Sequence, residues 1–164
     1  MPWGGPPRLT VPAWMPDHEV DRVIQTHREW IARERAKQRP RLGLDPRWVS
    51  ETEARRAARE LVTMLCDEEA DELGVRYERI QIRDQRTRWG SCSTRGTLSV
   101  NWRLVLAPFE VLDYVVVHEL CHLREANHSR RFWSLVETRR PDWRGQRDWL
   151  HEHGPELLAF RPAA

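Results

Sequence analysis

The stretch His118-Glu119-Leu120-Cys121-His122 sets two imidazoles four residues apart, with a carboxylate between them. On an α-helix positions i and i+4 lie one above the other, so His118 and His122 can reach a single Zn²⁺ from one face. Glu119 projects near the same face, where it can act on a water held by the metal without ligating the metal itself. In a strand, at about 3.3 Å of rise per residue, the two imidazoles would stand too far apart to share an ion. Such a pentapeptide arises by chance in roughly 3 of 100 chains of this composition, so its weight rests on its surroundings. Val111, Leu112, Val115, Val116, Leu120 and Leu123 would bury the segment. A buried helix carrying two histidines and a glutamate needs those polar groups satisfied, and a metal does that.

A catalytic zinc site keeps three protein ligands and leaves a fourth position open. His128 is the best third candidate, although on one straight helix it would lie more than two turns beyond His118 and far off its direction. A break at Arg124-Glu125-Ala126-Asn127 would swing it back, with Asn127 or Ser129 capping a new helix that carries Phe132, Trp133, Leu135 and Val136. His151 and His153, in a polar tail segment, are rival third ligands.

The elements that must position these groups follow from the hydrophobic pattern. The metal segment reads as a helix from a first turn at Pro108 to about Leu123, despite its β-branched Val115-Val116-Val117. Asp17 can cap an earlier helix through Val20, Val23, Ile24, His27, Trp30 and Ile31, with His18 and His27 as ordinary helix residues. A linker around residues 38–46 follows. Ser50 then precedes a long amphipathic helix with Ala54, Ala57, Ala58, Leu61, Met64 and Leu65 on one side and Gly74 as its stop. From Tyr77 to Asp84 the period changes to two, which predicts a half-exposed strand, and residues 97–102 make a second strand after a turn at residues 91–96. Between them, Arg86-Thr87-Arg88-Trp89-Gly90-Ser91-Cys92-Ser93 combines small residues that admit close approach, arginines that hold anions, and a tryptophan that can pack across the turn.

At 164 residues the chain is expected to form one domain, residues 1–164, with a Pro/Gly-rich stub over residues 1–16 that includes a strand-like Arg8–Pro12. A net charge of +2 gives no argument for nucleic acid, and no basic stripe with interleaved aromatics is present. Cys66, Cys92 and Cys121 are odd in number and contain no C-x-x-C pair, which argues against a disulfide framework and a cysteine zinc site; Cys121 reads as a packed core residue. No signal segment and no twenty-residue apolar stretch appear, so a cytoplasmic protein without a membrane partner is expected.

Taken together, Arg88-Trp89-Gly90-Ser91-Cys92, Leu98-Ser99-Val100-Asn101-Trp102-Arg103-Leu104, Val117 to Leu123, and Asn127-His128-Ser129 with Phe132-Trp133 resemble the YgjP-like family of zinc metallopeptidases, related to the WLM and SprT-like zincins. The resemblance runs over roughly residues 8 to 160 and rests on several motifs in one order. It implies an α+β, zincin-like fold in which a small antiparallel sheet packs against the buried metal-binding helix. It also implies His118, His122 and His128 as metal ligands and Glu119 as the catalytic acid/base. Family members open on a longer β region, whereas this chain enters the pattern near Leu9; a shortened amino terminus, or a start placed too far downstream, is expected to leave a sheet edge open.

The chemistry expected of these residues is metal-assisted hydrolysis, with Glu119 taking a proton from water and passing it to a leaving amine. Tyr114, Asn101 and Arg88 are candidate transition-state donors. Zinc is the expected metal, and imidazole ligands also suit other divalent ions. Two other readings stay open. Arg86, Arg88, Arg95, Arg124, Arg130 and Arg131 could hold a nucleoside triphosphate, as the name UTP pyrophosphatase carried by some family members implies, so the substrate is a polypeptide or a nucleotide. The chain could instead be a metal-binding adaptor without turnover.

Overall fold

A computed structural model of the chain describes residues 12, 15–27 and 50–162. The chain divides into two compact units, Met1–Pro40 and Arg41–Ala164. In the first, helix α1 spans Asp17–Thr26, and its opening N–H groups at Glu19 and Val20 donate to the carbonyl of Pro16. The strand expected at residues 8–12, the continuation of α1 to Ile31 and the linker at residues 38–46 lie almost wholly outside the described residues.

The second unit begins with α2, Glu51–Leu73, closed at both ends by its own sequence. Ser50 Oγ accepts from the Glu53 N–H at 3.2 Å while the Glu53 carboxylate accepts from the Ser50 N–H at 3.0 Å, a reciprocal capping box. Gly74 ends the helix at φ +62°, with Val75 N–H donating to Ala70 O and Gly74 N–H to Asp71 O. The buried face runs through Ala54, Ala58, Val62, Leu65, Cys66, Glu69 and Leu73. It is rotated from the expected face, which leaves Met64 exposed and brings the acidic Glu69 inside.

Three short strands follow: β1, Arg79–Arg83, β2, Gly90–Cys92, and β3, Thr97–Asn101. Their order is β1-β3-β2, with β3 central. β2 pairs antiparallel with β3, but β1 pairs parallel with it, Ile80 facing Leu98 and Ile82 facing Val100. The sheet is therefore mixed rather than antiparallel. The difference comes from β2, an extra strand inside the segment that reads as a hairpin connection. A three-residue Gly-Ser-Cys strand has no alternation and little β-propensity, so its pairing to β3 is its only signature. The turn between β2 and β3 closes with Gly96 at φ +80° and its N–H on Ser93 O.

The chain then makes a 3₁₀ turn, Trp102–Leu106, and three helices: α3, Phe109–Cys121, α4, Arg130–Arg139, and α5, Trp143–Ala159. Pro108 precedes α3 as expected, and Ser129 caps α4, its Oγ accepting from Phe132 N–H. α3 is buried on nearly every side, against α2, α4, α5 and the sheet. That burial overrides the strand preference of Val115-Val116-Val117, because a helix satisfies its own backbone inside an apolar core. One buried ionic network locks it in place. Arg140, just past α4, donates from Nε and NH2 to both carboxylate oxygens of Asp113 on α3, each at 2.6 Å, and from NH2 to Glu69 on α2 at 2.8 Å. Arg139 adds a 2.9 Å bond to the other oxygen of Glu69.

Candidate metal centre

α3 delivers His118, Glu119 and His122 from its last turn and its C-cap. Beyond it the chain bends: Glu125 N–H donates back to Cys121 O, and Ser129 N–H donates to Asn127 O at 2.8 Å, a three-residue turn centred on His128. That turn brings His128 back over α3. His118 Nε2 and His128 Nε2 stand 3.0 Å apart, and the ring centroids of the three histidines are 4.7 to 5.0 Å from one another. Each histidine offers a nitrogen, and the three lie within 4.8 Å of one another.

The donor set fits a metal ion. Two ligands each about 2.0–2.1 Å from one tetrahedral ion lie roughly 3.3 Å apart, close to the His118–His128 separation. Glu125 O lies 3.1 Å from His122 Nδ1 and can only accept, so that nitrogen carries the proton and Nε2 keeps its lone pair. Burial, reinforced by the neighbouring His122 and His128, pushes the His118 imidazole down to about 3, so it is neutral and able to ligate. Its Nδ1 is buried without a hydrogen-bond partner, and its ring is wedged edge-on against Phe132 at 4.8 Å and Tyr114 at 5.9 Å.

Glu119 is 6% exposed, and burial raises its carboxyl to about 8, against the opposing pull of Arg88. A cation held by the imidazoles acts in the same direction as Arg88 and favours the carboxylate. Gly90 of β2 makes the position possible, since a Cβ there would fall 2.5 Å from Glu119 Oε1 and 2.7 Å from Cγ. The glycine of the Trp89-Gly90-Ser91 segment thus serves close approach, and its target is the carboxylate of Glu119.

His118 and Glu119 open onto a cleft of about 240 Å³ that is also lined by Trp89, Gly90, Tyr114 and Val115 and by Arg147, Leu150 and His151 of α5. Tyr114 is thus in the cleft, its phenol pushed up to about 12 by burial and so held as a donor. Asn101 is not among the lining residues. It is fully buried, donating from Nδ2 to Gln85 O at 2.7 Å and accepting from Arg103 N–H at 3.1 Å, so it anchors the loop that leads to Trp89. Of the rival ligands, His151 lines the cleft outside the histidine cluster, and His153 stacks on Trp149 at 4.4 Å. Both belong to α5 rather than to a polar tail. None of the six arginines weighed for triphosphate binding lines the cleft, and Arg124 donates to Leu73 O. Sequence reasoning missed Arg147; its i, i+4 spacing to His151 on one helix is the signal that could have found it.

A family profile described as YgjP-like, metallopeptidase domain, matches residues 46–153. No curated protein matches the chain. Among solved structures, the chain is similar to the metallopeptidase zymogen abylysin of Pyrococcus abyssi, with 26% identity, a TM-score of 0.50, and coverage of 54% of this chain and 90% of that one. It is also similar to the metallopeptidase zymogen jannalysin of Methanocaldococcus jannaschii, with 22% identity, a TM-score of 0.48, and coverage of 59% and 96%. No described helix is long and apolar enough to cross a membrane.

Proposed function

The chain belongs to the YgjP-like metallopeptidase domain family, and from that premise we propose that it hydrolyses polypeptides with one zinc or other divalent ion held by His118, His122 and His128. The observation that carries this reading is the convergence of three imidazoles beside a buried carboxylate at one end of an open cleft. When bound, the ion would lower the pKa of a water and polarise a substrate carbonyl. The protein's own part begins with Glu119, which accepts the proton from that water and delivers it to the departing amine. Arg88 and a cation at the imidazoles both favour its carboxylate form, the form that accepts a proton. Gly90 leaves the carboxylate its place, and the burial of α3 keeps the helix from shifting beneath it. His122 is held in one tautomer by Glu125 O. Tyr114 offers an O–H to an oxygen that gains charge in the same cleft.

The test is an assay of the metal-loaded protein against an unfolded polypeptide and a panel of nucleoside triphosphates, with and without a chelator. Cleavage of the polypeptide, stopped by the chelator, with the triphosphates intact, is expected. Release of pyrophosphate without peptide cleavage would replace this reading with nucleotide hydrolysis. A stoichiometric metal with neither activity would replace it with metal-dependent binding.

A further inference from the structure

Helix α5 presents Arg147, Leu150 and His151 to the cleft at positions i, i+3 and i+4, one face of the helix. One turn further along the same face is Gly154, where a Cβ would meet the Trp89 ring at 3.1 Å, so α5 packs closely against Trp89, another residue of the cleft lining. Glu119 and His118 stand at the reacting end, and Arg147 is the one arginine among the described residues that lines the cleft. The guanidinium of Arg147 lies 5.0 Å from the centre of the Trp143 ring, which stacks on Tyr114. An aromatic face therefore orients this cation, and Tyr114 packs against both that ring and the ring of His118. Its ion-pair partner is its chain neighbour Asp148, at 3.2 Å, with the two side chains 43% and 66% exposed. Such a pair is weak and exchanges readily for a better-placed carboxylate. The cleft thus combines apolar lining at Val115 and Leu150 with a planar cation, in the same cavity as His118 and Glu119. Its volume of about 240 Å³ is below the ~300–1,000 Å³ of pockets for whole small molecules and suits a single substrate residue.

We propose that Arg147 is the specificity-determining residue of this cleft and binds a substrate carboxylate, either an acidic side chain next to the scissile bond or the carboxyl terminus of the chain. This rests on the peptidase reading above. A guanidinium takes a carboxylate through two parallel N–H···O bonds, a geometry that an amide or a lysine does not reproduce. Arg147 is thereby assigned to substrate choice, while the cation acting on Glu119 is Arg88.

The test is cleavage of a complex peptide mixture by the metal-loaded protein, with sites read by mass spectrometry, beside a mixture whose carboxyl groups have been converted to amides. About tenfold enrichment of Asp or Glu beside the cut, or of cuts next to the free carboxyl terminus, is expected; the position of the enrichment tells the two sources apart. Arg147→Met should abolish the enrichment, Arg147→Lys should restore part of it, and metal content should stay unchanged in both. A second readout is equilibrium binding of the best peptide in acid and amide forms to Glu119→Gln protein. About tenfold weaker binding of the amide form is expected there and no difference once Arg147→Met is added. Cleavage without charge preference, or a preference that survives Arg147→Met, overturns this inference and leaves the peptidase reading standing. No cleavage of any peptide by metal-loaded protein overturns both.

Discussion

Replacing Gly90 by alanine adds one methyl group to β2, at a point where it would stand 2.5 Å from Glu119 Oε1, 2.7 Å from Cγ and 2.8 Å from Cδ. Ordinary contact begins at 3.4 Å, so the carboxylate must retreat by roughly 0.9 Å. The helix beneath it cannot move instead, because Val117, Leu120 and Cys121 are fully buried in the core. Gly90 does not take a left-handed conformation, so the effect isolates a steric clash from backbone strain. Displacement of a catalytic group by about 1 Å costs on the order of 100-fold in rate, and overpacking a core site costs about 1–3 kcal/mol of stability. Gly90→Ala should therefore lower kcat/KM for a polypeptide about 100-fold while leaving metal stoichiometry intact, since no histidine is touched. The stability arm needs no activity: denaturant titration should show the 1–3 kcal/mol loss in the wild-type background and almost none in a Glu119→Ala background, where the clashing atoms are gone. Wild-type activity with unchanged stability would refute the reasoning, as would an equal stability loss in both backgrounds.

Three further outcomes follow from the same geometry. Asp113→Ala should destabilise the protein by about 3–5 kcal/mol, because it removes both oxygens that accept from Arg140 inside a buried network, and chemical denaturation should report it; a loss below ~1 kcal/mol would contradict the role given to that network. In the metal-free protein, His118 falls to about 3 from its ordinary 6.5, so the unfolded chain binds the extra proton and stability drops as pH falls below 6.5, by about 1.4 kcal/mol per unit from this group. Glu119 rises to about 8 from 4.5, so its contribution is lost as pH climbs from 4.5 through 8, and the two slopes oppose each other between 4.5 and 6.5. Denaturation of metal-free Glu119→Gln should then lack the decline that the wild type shows between pH 6.5 and 8, and parallel profiles would contradict the burial argument. Finally, His128→Ala should weaken zinc binding at least tenfold by calorimetry, whereas His153→Ala, which removes a ring stacked on Trp149, should leave it unchanged.

The parts legible in the sequence are those written in local chemistry. Ser50 with Glu53, and Gly74, bound α2 because capping and the left-handed stop each involve a few neighbouring residues. The break after His122 was readable for the same reason, and Ser129 closes it. Long-range pairing left no such trace. The Gly90–Cys92 strand exists only through β3, and the parallel pairing of β1 follows from that insertion rather than from anything in β1. Asn101, weighed as a donor to the reaction, is held by Gln85 O and Arg103 N–H, partners that spacing alone does not assign. Arg147 was one of many arginines in a chain with 27 basic residues until α5 was laid along the cleft.

The most direct test of the central claim is the turnover of an unfolded polypeptide by metal-loaded Glu119→Gln protein, with bound metal quantified in the same sample. The amide keeps the size of the side chain and leaves all three histidines untouched, but it cannot accept the proton from water. The account predicts wild-type metal content and no measurable cleavage. Full metal with an unchanged cleavage rate would contradict it.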